Sequence, residues 1–231
     1  MKRWIIGIVV VALLVVVGGP FVYFHFIQSD PPPRLTVDSV TTSSTATAGT
    51  SGTTGKRAPL AGTWKVGSGS VARYRVKETV FGQSGTAVGQ TKGVTGSMTI
   101  AGSKVTAATF TVDMTSFTSD QSQRDGQFQG RIMDTASFPT ATFTLTSPID
   151  LAPVPADGVK ATYPANGKLT LHGTTKDVTF SLTTKRTGDV IAVQSDKTVV
   201  FADYGINNPS GGPASVGDSG ELEFLLQLQP S

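Results

Sequence analysis

The chain has 231 residues, 38% of them hydrophobic, which is enough for a packed core, and it has no Cys, so disulfides, thiolate metal sites and cysteine nucleophiles are excluded. Its formal charge of +3 is carried by residues 1–57, with five basic and two acidic side chains; residues 58–231 hold 14 of each sign. The main body therefore lacks a basic field for phosphates, and no nucleic-acid partner is expected.

Residues 4–27 contain no Asp, Glu, Lys or Arg. As a helix this run would span about 36 Å, enough to cross a bilayer, and it is longer than the roughly 7–15 residues of a cleaved signal's apolar core. Gly18 and Gly19 precede Pro20, a poor cleavage context, and Tyr23, Phe24 and Phe26 read as an interfacial aromatic belt. Residues 1–29 are thus expected to be a single-pass, uncleaved membrane anchor. Lys2 and Arg3 lie on its cytoplasmic side, and everything that follows is extracytoplasmic. Residues 30–61 are rich in Pro, Ser, Thr and Gly and bury too little apolar surface to offset chain entropy, so a disordered linker is expected there.

From Trp64 onward apolar residues recur with period two, the signature of half-buried strands. Tyr74 and Val76 share a face, with Glu78 following on the same side. Ala108, Phe110, Val112 and Met114 form another face, as do Ala141, Phe143 and Leu145, then Val178, Phe180 and Leu182, and finally Leu222, Phe224, Leu226 and Leu228. Weaker runs lie at 94–100, 168–172, 190–193 and 198–203. About nine short strands separated by turns such as "AGSK", "RTGD" and "NNPSGGP", with no recurrent helix between them, predict an all-β antiparallel barrel or sandwich.

One stretch breaks the period: "RDGQFQGRIMDTASFPTATF", residues 124–143. Phe128 and Ile132, four apart, would share one stripe of a short helix, with Gly126 and Gly130 weakening it by about 1 kcal/mol each, so it needs tertiary support. The spacing predicts a short helix capping one end of the β structure, started by Ser119 or Asp120 as a cap residue. It either closes the core or acts as a lid over a cavity.

"GTWKV" (residues 62–66), the stretch just quoted, "GKLTLHGTTKDVTF" (167–180) and "DYGINNP" (203–209) resemble, in order and spacing, the successive signature segments of the YceI-like family. The resemblance covers residues 62–229. It implies an eight-stranded antiparallel, lipocalin-like barrel over residues 62–231, with the helical excursion beside its mouth. It also implies an apolar interior holding an isoprenoid lipid such as a quinone or polyprenyl compound. The family pattern has His near the start and at the end of the first long strand, where this chain has Gly69 or Ser70 and then Glu78.

The candidate lining residues are Tyr74, Val76, Phe110, Val112, Met114, Phe143, Phe180, Leu182, Phe201 and Phe224, joined by Phe128 and Ile132 from the helix; Glu78 and Arg124 are candidate polar groups at the mouth. His172, alone after residue 29, cannot build an ordinary transition-metal site and reads as a structural, turn-adjacent His. No G-x-S-x-G elbow is present, and only Glu78, Asp203 and Arg124 could form a polar cluster in the barrel, so no enzyme, metal or cofactor is expected. Trp64 is expected to plug the closed end. The expected function is membrane-tethered binding or carriage of an isoprenoid lipid, the alternative being a cell-surface structural or interaction module with a filled core. The sequence leaves the oligomeric state open, a homodimer included.

Overall fold

The structure, a computed structural model, describes residues 30–40, 57–212 and 214–231. The expected anchor and much of the expected linker lie outside these residues. Among the described residues, no helix is long and apolar enough to cross a membrane.

The described strands are β1 (Gly62–Val66), β2 (Val71–Val80), β3 (Gln83–Thr91), β4 (Val94–Ala101), β5 (Lys104–Asp113), β6 (Thr118–Ser119), β7 (Thr140–Leu145), β8 (Ile149–Asp150), β9 (Lys160–Leu171), β10 (Thr174–Thr187), β11 (Val190–Val200), β12 (Ala214–Val216) and β13 (Ser219–Pro230). Each pairs antiparallel with its neighbours. The circuit β1, β4, β5, β7, β9, β10, β11, β13 returns to β1, giving a closed eight-stranded barrel with no free edge around the ring.

β13 is long enough to serve two partners. Its C-terminal part pairs with β1, Trp64 opposite Pro230, and its N-terminal part with β2, Ala72 opposite Phe224. The break between β1 and β2 is stapled by Ser70, which donates from its hydroxyl to the Gly67 carbonyl at 2.9 Å and accepts from the Gln227 amide at 2.9 Å. β2 then turns into β3 through Phe81 and Gly82, both at positive φ (50° and 79°), the backbone signature of a tight two-residue hairpin.

β3 pairs with β2 and with the short β6, whereas β4 pairs with β1 and β5, so β3 and β4 are not bonded to each other. The residues that break the sequence period stand at this gap. Helix α1 (Ser122–Gln127) continues directly into a π-helical turn, Phe128–Ile132. The expected Ser119 or Asp120 cap takes a different form: Asp125, inside the helix, accepts from the Ser119 amide (2.8 Å) and hydroxyl (2.6 Å), tying the helix back to β6.

Alternation places one face of each strand in the lumen. Trp64 is 1% exposed at the end away from the β2–β3 hairpin, donates its indole N–H to the Leu60 carbonyl at 2.9 Å and lies under the Arg186 guanidinium at 5.1 Å. We call this end the base and the opposite end, at the β2–β3 hairpin, the mouth.

The linker expected over residues 30–61 does not begin as free chain. Residues 30–40 form a strap across the outer wall. Val37, in a single 3-10 turn (Val37–Ser39), is 1% exposed against Ala192 and Leu225, with Leu35 and Val40 packed beside it. Arg34 pairs with Glu221 (2.7 Å) and Glu223 (3.1 Å), the Pro32 and Pro33 carbonyls accept from Arg75 and Arg73, and Asp38 pairs with Lys160 and Lys185. Composition concealed this because apolar Leu35, Val37 and Val40 are too few to register as a buried face until a wall is supplied from strands far along the chain.

Candidate ligand cavity

The lumen is not filled. A cavity of about 460 Å³ runs inward from the mouth, walled by β2, β5, β7, β10, β11 and β13 and by the helical insert. Its lining follows from the period of the strands. On β2, Ala72, Tyr74, Val76, Glu78 and Val80 point inward while Arg73, Arg75 and Lys77 alternate with them. Phe110 and Val112 come from β5, Phe143 from β7, Phe180 and Leu182 from β10, and Leu222, Phe224 and Leu226 from β13. Several of these, including Phe110, Phe143 and Leu182, are only half-buried although they face inward, because they border the void.

All fourteen residues named from the sequence are on the wall of this cavity: Tyr74, Val76, Phe110, Val112, Met114, Phe128, Ile132, Phe143, Phe180, Leu182, Phe201, Phe224, Glu78 and Arg124. Met114 and Phe201 stand not on strands but on the 3-10 turns Met114–Ser116 and Phe201–Tyr204 that follow β5 and β11. Sequence reading missed Phe117, Met133, Ile206 and the glutamines 121, 123 and 127, which also line it. Phe117, Met133 and Ile206 lie in irregular segments with no period to expose them, and the glutamines, at the start of and within α1, carry no apolar signal. Leu222 and Leu226 belonged to a recognised face and could have been named.

The insert is fastened from inside by aromatic contacts. Phe128 stacks on Tyr74 with ring centroids 4.8 Å apart, and Phe117 approaches the same two rings at 5.8 and 5.1 Å. Gly89, next to Tyr74 on β3, makes room for the phenol ring: a Cβ there would fall 2.3 Å from it. Burial pushes the Tyr74 phenol up, so it stays protonated as a neutral donor.

Polar groups gather at the mouth. Arg124 reaches Glu78 at 3.2 Å and also pairs with Asp120. Burial works against its charge, but Glu78 and Asp120 hold its pKa above the ordinary value. Both Glu78 and Arg124 are largely buried, at 11% and 14% side-chain exposure, so they form a shielded ion pair rather than two free charges. Asp203 lies exposed on its turn, outside the cavity wall, and does not join them. His172 sits at φ 50° beside the β9–β10 turn, donates from Nδ1 to the Tyr204 carbonyl at 3.2 Å and packs on Phe138, a structural placement. Among the described residues no group of three or more His, Asp or Glu is placed to hold a metal ion.

A closed antiparallel barrel around an apolar chamber, open at one end and rimmed by a few polar side chains, is the architecture of proteins that hold a small apolar molecule. The chain belongs to the YceI-like domain family, whose model matches residues 36–228 and so includes the second half of the strap. It is similar in fold to a polyisoprenoid binding domain from Saccharophagus degradans implicated in plant cell wall breakdown, at 19% identity and TM-score 0.60, covering 74% of this chain and 99% of that one. BcnA of Burkholderia cenocepacia is similar at 21% identity and TM-score 0.52, over 68% of this chain and 95% of the other. The YCEI protein of Campylobacter jejuni matches at 14% identity and TM-score 0.51, over 62% and 84%. No curated protein sequence matches the chain.

Proposed function

We propose that this protein binds or carries an isoprenoid lipid in its barrel, extracytoplasmically and tethered to the membrane, without chemical change to the lipid. The observation that carries the reading is the cavity itself: about 460 Å³, overwhelmingly apolar, open at one end. A filled-core interaction module would have no such space. Each methylene buried contributes about 0.8 kcal/mol, so a prenyl tail needs no charged anchor to be retained. Arg124 is already compensated by Glu78 and Asp120, so that pair offers no free cation of its own to a head group.

Tethering is supported by the charge-free run at residues 4–27 and by the strap that follows it. The strap descends from the level of Glu221 at Arg34 to that of Lys185 at Asp38, from the mouth side toward the base. Asp30, where the described part of the strap begins, therefore lies on the mouth side, close to where a membrane lipid would enter.

The test is to purify the full chain from bacterial membranes and extract it with organic solvent. A prenyl lipid recovered at near one per protein, and lost from Val112→Trp, which narrows the cavity, is the expected result. A full chain that carries no lipid, even after incubation with prenyl alcohols and isoprenoid quinones, would overturn the reading.

A further inference from the structure

The barrel lumen is two chambers rather than one. Below the main cavity, at the base, lies a second apolar space of about 100 Å³ walled by Met98, Ile100, Ile149, Leu151, Tyr163 and Leu228 among others. Phe110, Phe143, Leu182 and Val193 border both spaces. They come from β5, β7, β10 and β11, so they form a septum spanning the lumen rather than a patch on one wall.

The septum is braced. Phe110 and Phe143 are directly opposed across β5 and β7, and each ring lies against a glycine of the next strand outward. Gly96 on β4 is the register partner of Phe110, and a Cβ there would stand 2.9 Å from its ring. A Cβ on Gly167 of β9 would stand 2.3 Å from the Phe143 ring. Phe143 then meets Phe180 edge-on at 5.4 Å, and Phe180 meets Phe224 at 5.5 Å, so a row of rings crosses toward β13. The basal space is smaller than the roughly 150 Å³ cavity known to admit benzene and by itself holds no more than about one isoprene-sized group.

We propose that the Phe110–Phe143 septum is a ruler that sets the length of isoprenoid tail the protein accepts. The tail enters at the mouth, fills the main cavity, and its terminal methyls abut Phe143. The basal chamber stays shut, and tails too long for the main cavity are excluded or left protruding. Residue 143 is then a specificity determinant: removing its ring joins the chambers and admits a longer tail. This inference rests on the lipid-binding reading above.

The experiment presents the full chain with an equimolar mixture of farnesol, geranylgeraniol and solanesol, re-isolates the protein and quantifies the retained alcohols by mass spectrometry. The native chain should retain the shorter alcohols in preference to solanesol. Phe143→Ala should shift the retained ratio at least tenfold toward solanesol, and Leu182→Ala, a milder opening of the same septum that keeps both rings, should shift it in the same direction. Leu222→Ala, which widens only the mouth end of the main cavity and lies outside the row of rings, should leave the length preference in place. Retention of alcohols with the same length profile in the native chain and both septum variants overturns the ruler while leaving lipid binding standing. Retention of no alcohol by the native chain overturns the lipid-binding reading, and the ruler falls with it.

Discussion

Glu223 is 2% exposed on the outward face of β13, beneath the strap. One carboxylate oxygen accepts from Arg75 at 2.9 Å and Arg34 at 3.1 Å; the other is buried without a hydrogen bond, 4.0 Å from Arg73. Three guanidiniums surround this acid, Arg34 being shared with Glu221, and Arg75 is the nearest. Arg75→Met should destabilise the protein by about 3 kcal/mol, the lower end for breaking a buried pair, because Arg34 and Arg73 remain. Arg75→Met with Glu223→Leu should cost less than the single change, and denaturant midpoints compare the two; a double variant as unstable as the sum of its parts would mean the carboxylate was never strained by its partner's loss. At Gly167 the sign is set by packing. A Cβ would sit 2.6 Å from the Thr144 carbonyl as well as against Phe143, so Gly167→Ala should lower stability by about 1–3 kcal/mol through overpacking, read as a shifted denaturant midpoint.

At the scale of elements, the strap and the insert are the two pieces that strand periodicity does not describe. The strap is held by hydrophobic contact at Val37 and by carboxylates with depressed pKa values. The Glu221 carboxyl is held below its ordinary range by the hydrogen bond from Arg34, and Asp38 by that from Lys160. A carboxylate with a lowered folded pKa stabilises the docked state above its ordinary value, near pH 4, and loses that contribution as the pH falls through the lower folded value. Hydrogen exchange, corrected for intrinsic rates, should therefore show strap amides protected at pH 7 and released near pH 3, with β10 and β11 still protected. Equal protection at both pH values would show that the strap is held without its carboxylates, by its apolar contacts and the arginine bonds to its proline carbonyls. The insert differs because, beside its carboxylate contacts at Asp125 and Glu78, it is fastened inside the lumen by Tyr74, Phe117 and Phe128, so it should remain docked in the same acid experiment.

For the molecule as a whole, the barrel was legible where strands bury one face, as in Phe110-Val112 and Phe180-Leu182, since period two survives there without any partner. β3 was not legible: "QSGTAVGQT" has too little apolar bulk, its role being to give Tyr74 room at Gly89. The fourteen cavity-wall residues could be named because an inward face is the same whether or not side chains fill the lumen; that they leave a cavity there, and a divided one, depends on ring positions that no pattern encodes. Phe81 belongs to this scale as well. It is 56% exposed at the mouth hairpin and at φ 50°, a conformation costing a non-glycine residue about 1–2 kcal/mol, so Phe81→Asn should stabilise the isolated fold by about 1 kcal/mol. Against that gain stands an aromatic ring at the rim of an apolar cavity, on the side where the strap begins. If the mouth faces the bilayer, Phe81 belongs at its interface. Because the chain has no Cys, single cysteines can carry a fluorophore at Phe81→Cys, at the mouth, or at Lys104→Cys, at the base. In full-length protein reconstituted into phosphatidylcholine vesicles containing nitroxide lipid, the label at residue 81 should be quenched strongly and that at residue 104 hardly at all. Equal quenching would mean that the barrel swings freely on its tether, and stronger quenching at residue 104 that the base faces the membrane and the lipid must travel around the wall to reach the mouth.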